Sequence, residues 1–485
     1  MKADWIIQRA RLVARQPLLR WLIGFKGVYW LVLLGALWLG DGFDTGKFYA
    51  QAAVARWPRE GDPVFASHFG TWDAAHYLFL GEEGYQPGMP SCAFYPLWPL
   101  LVSGASGLTG GSQMWGGLML SNVISLAAWV LFYQLAAQRW GQRAGNWSLA
   151  FLLAFPGSLF FQFNYTESLF LLLVMGLWYG LEKRRYGVAA LAAGLLPLTR
   201  AVGVFAVLPI AWHALRETGW LRQGDSRRQI GGGERKEEDG GLSTEDGRRK
   251  AEDRELGPQS SGLRAEVGSG STESRPTTLD CGRRKADFGF GNQERQKVPE
   301  SLSSKFKISD CGFRWSPWLL LAAPLIGWGC YLALMWHWTG NPFEGFEAQK
   351  HWGVHSVWNL VNVPKFVIGF FTPTQWHAFT GSLLDRCVFV LLLYTLPVLW
   401  RLDKGLLVWT YWLGILPAMS GTFTSYSRFA SCAFPMFIAL GAFLSPKMED
   451  GSSKMGAWLR WGLLAVFAVL HVVLVWRFVN FRWAG

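Results

Sequence analysis

HFGTWDAAHYLFLGEEGYQPGMPSCAFYPLWPLL, residues 68–101, decides how this chain is read. It sets one acid, Asp73, ahead of Ala74-Ala75-His76-Tyr77 in a helical register, then runs into an aromatic- and proline-rich segment. Strongly hydrophobic spans at 21–40 and 114–137 flank it. Asp73, His76 and Tyr77 stand at i, i+3 and i+4 and so share one helix face. Beside a membrane, a carboxylate, an imidazole and a phenol on one face point to a reaction site rather than to packing.

Apolar residues make up 51% of the 485-residue chain, with 29 Trp and 34 Phe, and one segment dilutes that character. Residues 222–312 hold 18 Lys and Arg and 17 Asp and Glu, leaving 28 basic and 17 acidic residues in the other 394 positions. That remainder lies far below the ~25% charged content of soluble domains. It also carries repeated long apolar runs, so the chain reads as an all-α integral membrane protein embedded in the lipid bilayer. Its basic surplus sits in short loops between spans, where it sets orientation. Nucleic acid would need those residues clustered on a soluble fold, so no nucleic-acid partner is expected. The cysteines (92, 281, 311, 330, 387 and 432) show no CxxC or other ligand spacing. Neither a disulfide framework nor a metal site is expected. The basic start leads into a span without a clear small-residue cleavage site, so no cleavable signal peptide is expected.

Lys2, Arg9, Arg11, Arg15 and Arg20 place the first residues in the cytoplasm by the positive-inside rule. The first span, 21–40, then opens an external loop that carries the Asp73 helix. Residues 94–110 are expected as an external juxtamembrane helix, with a dipping or crossing helix as the alternative, so the loop extends over 41–113. Residues 114–137 return the chain to Arg139 and Arg143. Residues 147–163 and 166–181 form a hairpin with its external tip at Asn164–Ser168. Two helices too short to cross follow at 187–215, with Arg200 at their tip inside the membrane thickness.

The N-terminal membrane half is thus 1–221. Residues 222–312 are low in complexity, rich in Gly, Ser and charge, and repeat Arg-Arg-Lys-Ala at 248–251 and 283–286. They are expected to be a disordered cytoplasmic insert. The C-terminal half, 313–485, opens with a span at 316–338 and an external loop containing Glu344, Glu347, Gln349, Lys350 and His351. An interfacial helix at 357–371 and spans near 383–400, 405–420, 429–445 and 456–476 complete about eleven spans, with an external C-terminus.

Asp73 is the leading candidate for catalysis. An external carboxylate in apolar surroundings can take the proton of an attacking hydroxyl. The plainer alternative is a helix-start charge that interacts with the dipole. Asp73 with His76 is also half of a metal site, but no matching ligands accompany it. Arg200, at membrane depth, needs an anionic partner. A lipid phosphate suits its fork; a salt bridge to Glu167 or snorkelling to the interface would also satisfy it. Glu167 itself fits a helix-start cap, and Asn164-Tyr165-Thr166 matches a glycosylation sequon. Ser425-Tyr426-Ser427-Arg428, at an external span start, reads as substrate contact or as an interfacial anchor. Gln349 and Lys350 form a third external cluster, where Lys350 could attract phosphate or remain a solvated charge.

Several stretches together resemble the GPI mannosyltransferase 2 family and its bacterial relatives, within the GT-C glycosyltransferases. They are WDAAHY with GY at 84–85, AFYPLWPLL at 93–101, FPGSLFFQFNYTESLF at 155–170, LTRAVG at 198–203, EAQKHWG at 347–353 and SYSRFASCAFPMF at 425–437. The resemblance covers most of the chain outside 222–312. It implies a GT-C-like polytopic helical bundle with external juxtamembrane helices in the first loop. It also implies an inverting transfer of a sugar, usually mannose, from a polyprenyl-phosphate donor on the extracytoplasmic face, with Asp73 as base. The acceptor would be a lipid-linked or surface glycan, and no metal or other cofactor is obligatory. Trp72, His76, Tyr77, Tyr95, Glu167, Arg200, Gln349, Lys350, Tyr426 and Arg428 become the residues expected to face substrate. Trp98 departs from the family, which often has a second Phe or Tyr at that point of the run, and the insert is a further departure. A bacterial inner membrane is favoured over the endoplasmic reticulum. The rival class is a transporter or flippase for polyprenyl-linked lipids, which would use the same cavity and arginines but would need no external acid. Transporters commonly show internal repeats, and the two halves show none.

Overall fold

The structure, a computed structural model, describes residues 17–40, 56–59, 61, 64–220, 317–352, 362–419, 423–443 and 453–485. The N-terminal basic segment to residue 16, much of the 41–63 stretch, the insert at 222–312 and the first residues of the expected 357–371 helix lie outside the described residues. Among the described residues the regular elements are helical, and β pairing is limited to two isolated bridges, Arg56 with Thr71 and Gln375 with Ser382.

Among the described residues, five helices are long and apolar enough to cross a membrane: Pro17–Trp38, Gln113–Trp140, Pro317–Thr339, Leu383–Leu402 and Gly456–Val479. Leu31, Val32 and Trp38 are exposed on the first, Leu325 and Ile326 on the third, and Val466, Val469 and Val472 on the last. Bare apolar stripes of this extent are paired with hydrocarbon, not water. This is an all-α membrane protein.

The remaining expected crossings are built from shorter pieces. The 147–163 span is a 13-residue helix, Gln142–Ala154, that stops at Phe155 and continues as a 3-10 turn, Pro156–Phe161. Phe155 precedes a proline and takes an extended ψ of 137°, as that position favours. Its hairpin partner, Glu167–Glu182, has 16 residues. The 187–215 region holds two short helices, Tyr186–Leu195 and Val207–Glu217, meeting at 3-10 turns either side of Arg200. The 405–420 span is interrupted by a π-helical turn, Tyr411–Ile415. The 429–445 span is divided into Tyr426–Ala430 and Phe434–Phe443. The 94–110 helix appears as Leu97–Ser106, packed on both Asp73–Glu82 and Gln113–Trp140. The expected interfacial helix is seen as Val363–Phe371, whose Val367, Ile368 and Phe371 are exposed.

Ion pairs gather the helix ends into two poles. At one pole Arg139 bridges Glu182 and Asp403, and Arg184 pairs with Glu217 at 2.9 Å. Glu167 begins the helix that Glu182 ends, so it stands at the opposite pole, about 22 Å away at helical rise. Lys26 is 5% exposed on the first membrane helix. Its ammonium donates to Asn122 Oδ1 at 2.9 Å and Gln162 Oε1 at 2.7 Å, and it lies 4.4 Å from the Trp129 ring centre. A buried ammonium is tolerable only with such partners, and here they fasten the first helix to the second and to the hairpin.

Candidate active site

Asp73 opens the Asp73–Glu82 helix, where the dipole favours a carboxylate. The chain enters through Trp72 at φ 57° and ψ −127°, a backbone conformation that costs a non-glycine residue roughly 1–3 kcal/mol. The entry is held from both sides. Tyr165 Oη donates to the Thr71 carbonyl at 3.1 Å, and the Trp72 ring meets the Trp483 ring edge-on at 5.2 Å. Strain at the residue before the leading acid is where a functional site stores it.

Four charged side chains then form a ladder. Arg428 Nη1 pairs with Asp73 Oδ2, Arg428 Nε with Glu167 Oε1, and Arg200 Nη2 with the same Glu167 oxygen. Arg200 Nε also donates to Thr166 Oγ1 at 3.0 Å. Both guanidinium groups lie against aromatic faces: Arg428 is 4.7 Å from the Tyr165 ring centre, and Arg200 is 5.0 Å from that of Phe429. The side chains of Glu167, Arg428 and Arg200 are 0%, 7% and 8% exposed, while Asp73 keeps 19%. The acid at the end of the ladder is therefore the member open to an incoming group.

Local sequence explains the close fit. A methyl group built on Gly157 would overlap the Ser427 carbonyl oxygen, so the Pro156–Phe161 turn and the Arg428 helix approach only because residue 157 is glycine. Gly117 makes room in the same way for Asn164, whose Oδ1 accepts from Trp98 Nε1 at 2.9 Å. Trp98 thus anchors the hairpin tip.

The other expected residues divide. Tyr77 is buried behind the ladder, 3.4 Å from Thr166 Oγ1, and burial pushes its phenol up to about 12. His76 stacks on Phe94 at 4.9 Å and contacts Ser91 Oγ at 2.9 Å and Arg59 at 3.4 Å. Burial lowers His76 to about 4, with Asp73 opposing and Arg59 adding to the effect, so the ring is neutral at pH 7 and supplies no cation. Tyr95 stacks on Tyr331 at 4.6 Å rather than joining the ladder. Gln349 donates to the Ala93 carbonyl at 3.1 Å, next to Phe94, and Lys350 is exposed beside it. Tyr426 turns into the protein against Phe389 and Phe423, and its buried hydroxyl makes no hydrogen bond. Arg200 realises the salt-bridge alternative: its guanidinium pairs with Glu167.

Thr166, Tyr165 and Arg59 were not singled out from sequence. Thr166 and Tyr165 lie within the quoted sequon, where an anchoring role had no visible signal. Arg59, whose guanidinium lies 3.7 Å from the Phe79 ring centre and donates to Ser91 Oγ at 2.8 Å, sits in an unremarkable Trp-Pro-Arg-Glu run.

No family model, curated protein or solved structure matches the chain.

Proposed function

We propose that the chain is an inverting, GT-C-like membrane glycosyltransferase, moving a sugar such as mannose from a polyprenyl-phosphate donor to a lipid-linked or surface glycan. The observation that carries the reading is the partly open Asp73 held by Arg428 at one pole of the bundle. In a single displacement the acceptor hydroxyl oxygen attacks sugar C1 while Asp73 takes its proton. The C1–O bond to phosphate breaks, and its electron pair leaves with the polyprenyl phosphate. Arg428, directly beside the base, is the nearest committed cation for the charge that develops there. Arg200 acts one step back, by fixing Glu167 and through it Arg428. Lys350 and Arg59 lie at the rim and are further cations for an anionic ligand.

Purified protein incubated with polyprenyl-phosphate mannose and membrane lipid extract should yield a mannosylated lipid and free polyprenyl phosphate. Donor movement between leaflets of a proteoliposome with no sugar transfer would instead establish the flippase class.

The orientation belongs to the same reading. The pole with Arg139, Arg184 and Arg216 is cytoplasmic by the positive-inside rule, so Asp73 faces the far side. In a cysteine-free background, Glu83→Cys should react with an impermeant thiol reagent added outside bacterial cells that express the protein, and Lys183→Cys should react only after lysis; both positions are exposed. The reverse pattern would put Asp73 in the cytoplasm, away from the expected donor.

A further inference from the structure

Asp385 stands in the first turn of the Leu383–Leu402 membrane helix and is fully buried. Its neighbour Arg386 does not pair with it; that guanidinium donates to the carbonyls of Gly369, Phe370 and Ser382. Asp385 Oδ1 accepts the Ser427 backbone N–H at 2.6 Å, and Oδ2 has no hydrogen-bond partner, with His377 Nδ1 3.9 Å away. A charge at such a position is expensive, and a purely packing residue would be apolar. The backbone it holds is strained. Phe423 and Ser425 take φ of 52° and 57°, left-handed values at two non-glycine residues immediately before the Tyr426–Ala430 helix. Such a turn persists only where its surroundings over-determine it.

Resting on the transferase reading, the geometry points to Asp385 as a positioning residue: by gripping Ser427 N–H it fixes the turn that aims Arg428 at Asp73 and Glu167. It touches no substrate and acts through Arg428 alone. A shift of about 1 Å in such a group lowers turnover by up to roughly a hundredfold.

The test has two arms on full-length protein. In the kinetic arm, Asp385→Ala should lower kcat per folded molecule by about ten- to a hundredfold with little change in KM for the lipid donor. Asp385→Asn, which keeps an acceptor oxygen, should restore most of the loss. If the Ala variant does not fold, Asp385→Thr, whose shorter hydroxyl cannot reach Ser427, carries the same expectation. Folded Ala or Thr variants with undiminished kcat would overturn the proposal. The second arm needs no substrate. Asp385→Ala should lower the melting temperature less in an Arg428→Met background than in the unmodified protein, because coupled sites are not additive. Equal shifts in both backgrounds would overturn it as well. Absence of turnover in the unmodified protein would remove the transferase reading and leave the melting cycle to decide Asp385.

Discussion

Asp73→Asn should reduce sugar transfer by about 10²–10⁴-fold, the usual contribution of a positioned general base. The amide keeps the size of the side chain and still accepts from Arg428, so the ladder geometry survives and the basicity is removed. Asp73 lies at the solvent-open end of the ladder, and its loss leaves the buried Arg428–Glu167–Arg200 unit paired. Donor KM should therefore change little, and thermal stability should change little too. Near-normal turnover by the folded variant would remove Asp73 from the chemistry.

Arg428→Met should have the larger effect on the protein as a whole. The substitution removes two ion pairs at once, leaving Glu167 fully buried with Arg200 alone and Asp73 without its cation. Breaking one side of a buried pair typically costs about 3–5 kcal/mol. Turnover should fall with it, since both the orientation of the base and the nearest cation are lost. Arg428→Lys should recover little of either, because one ammonium cannot reproduce a fork that meets two carboxylates from Nε and Nη1. Detergent-solubilised melting curves and turnover on the same samples check both halves. A stable, fully active Arg428→Met protein would mean that the ladder is incidental.

Asp73, Glu167, Arg200 and Arg428 were each legible in the sequence, as ionisable residues set in apolar surroundings. The Arg200–Glu167 pair, 33 positions apart, was legible as an alternative; the pairs of Arg428 with Glu167 and Asp73 were not, because those partners are 261 and 355 positions apart. The breaks at Pro156 and around Pro197 could be read from proline chemistry. The break between Ala430 and Phe434 has the same kind of signal in Pro435, which stands in the first turn of the helix that follows. Apolar length alone does not separate a helix that crosses lipid from two short helices buried against neighbours, which is why eleven expected spans meet five helices of crossing length. Asp385, an acid at the start of an apolar run, was not singled out from the sequence, and its bond to Ser427, 42 positions away, has no local sequence signal.

The ladder also bears on the order in which the protein is made. Asp73, Glu167 and Arg200 come from the chain before residue 222, and Arg428 comes from the chain after residue 312. As the ribosome delivers the first half, two carboxylates share one guanidinium, and that half is short of one positive charge at its functional pole. The second half brings the missing charge only with residue 428. Each half is thus electrically incomplete in a low-dielectric setting, where an unmatched charge is costly. Docking of the two halves restores neutrality and completes the ladder in the same event.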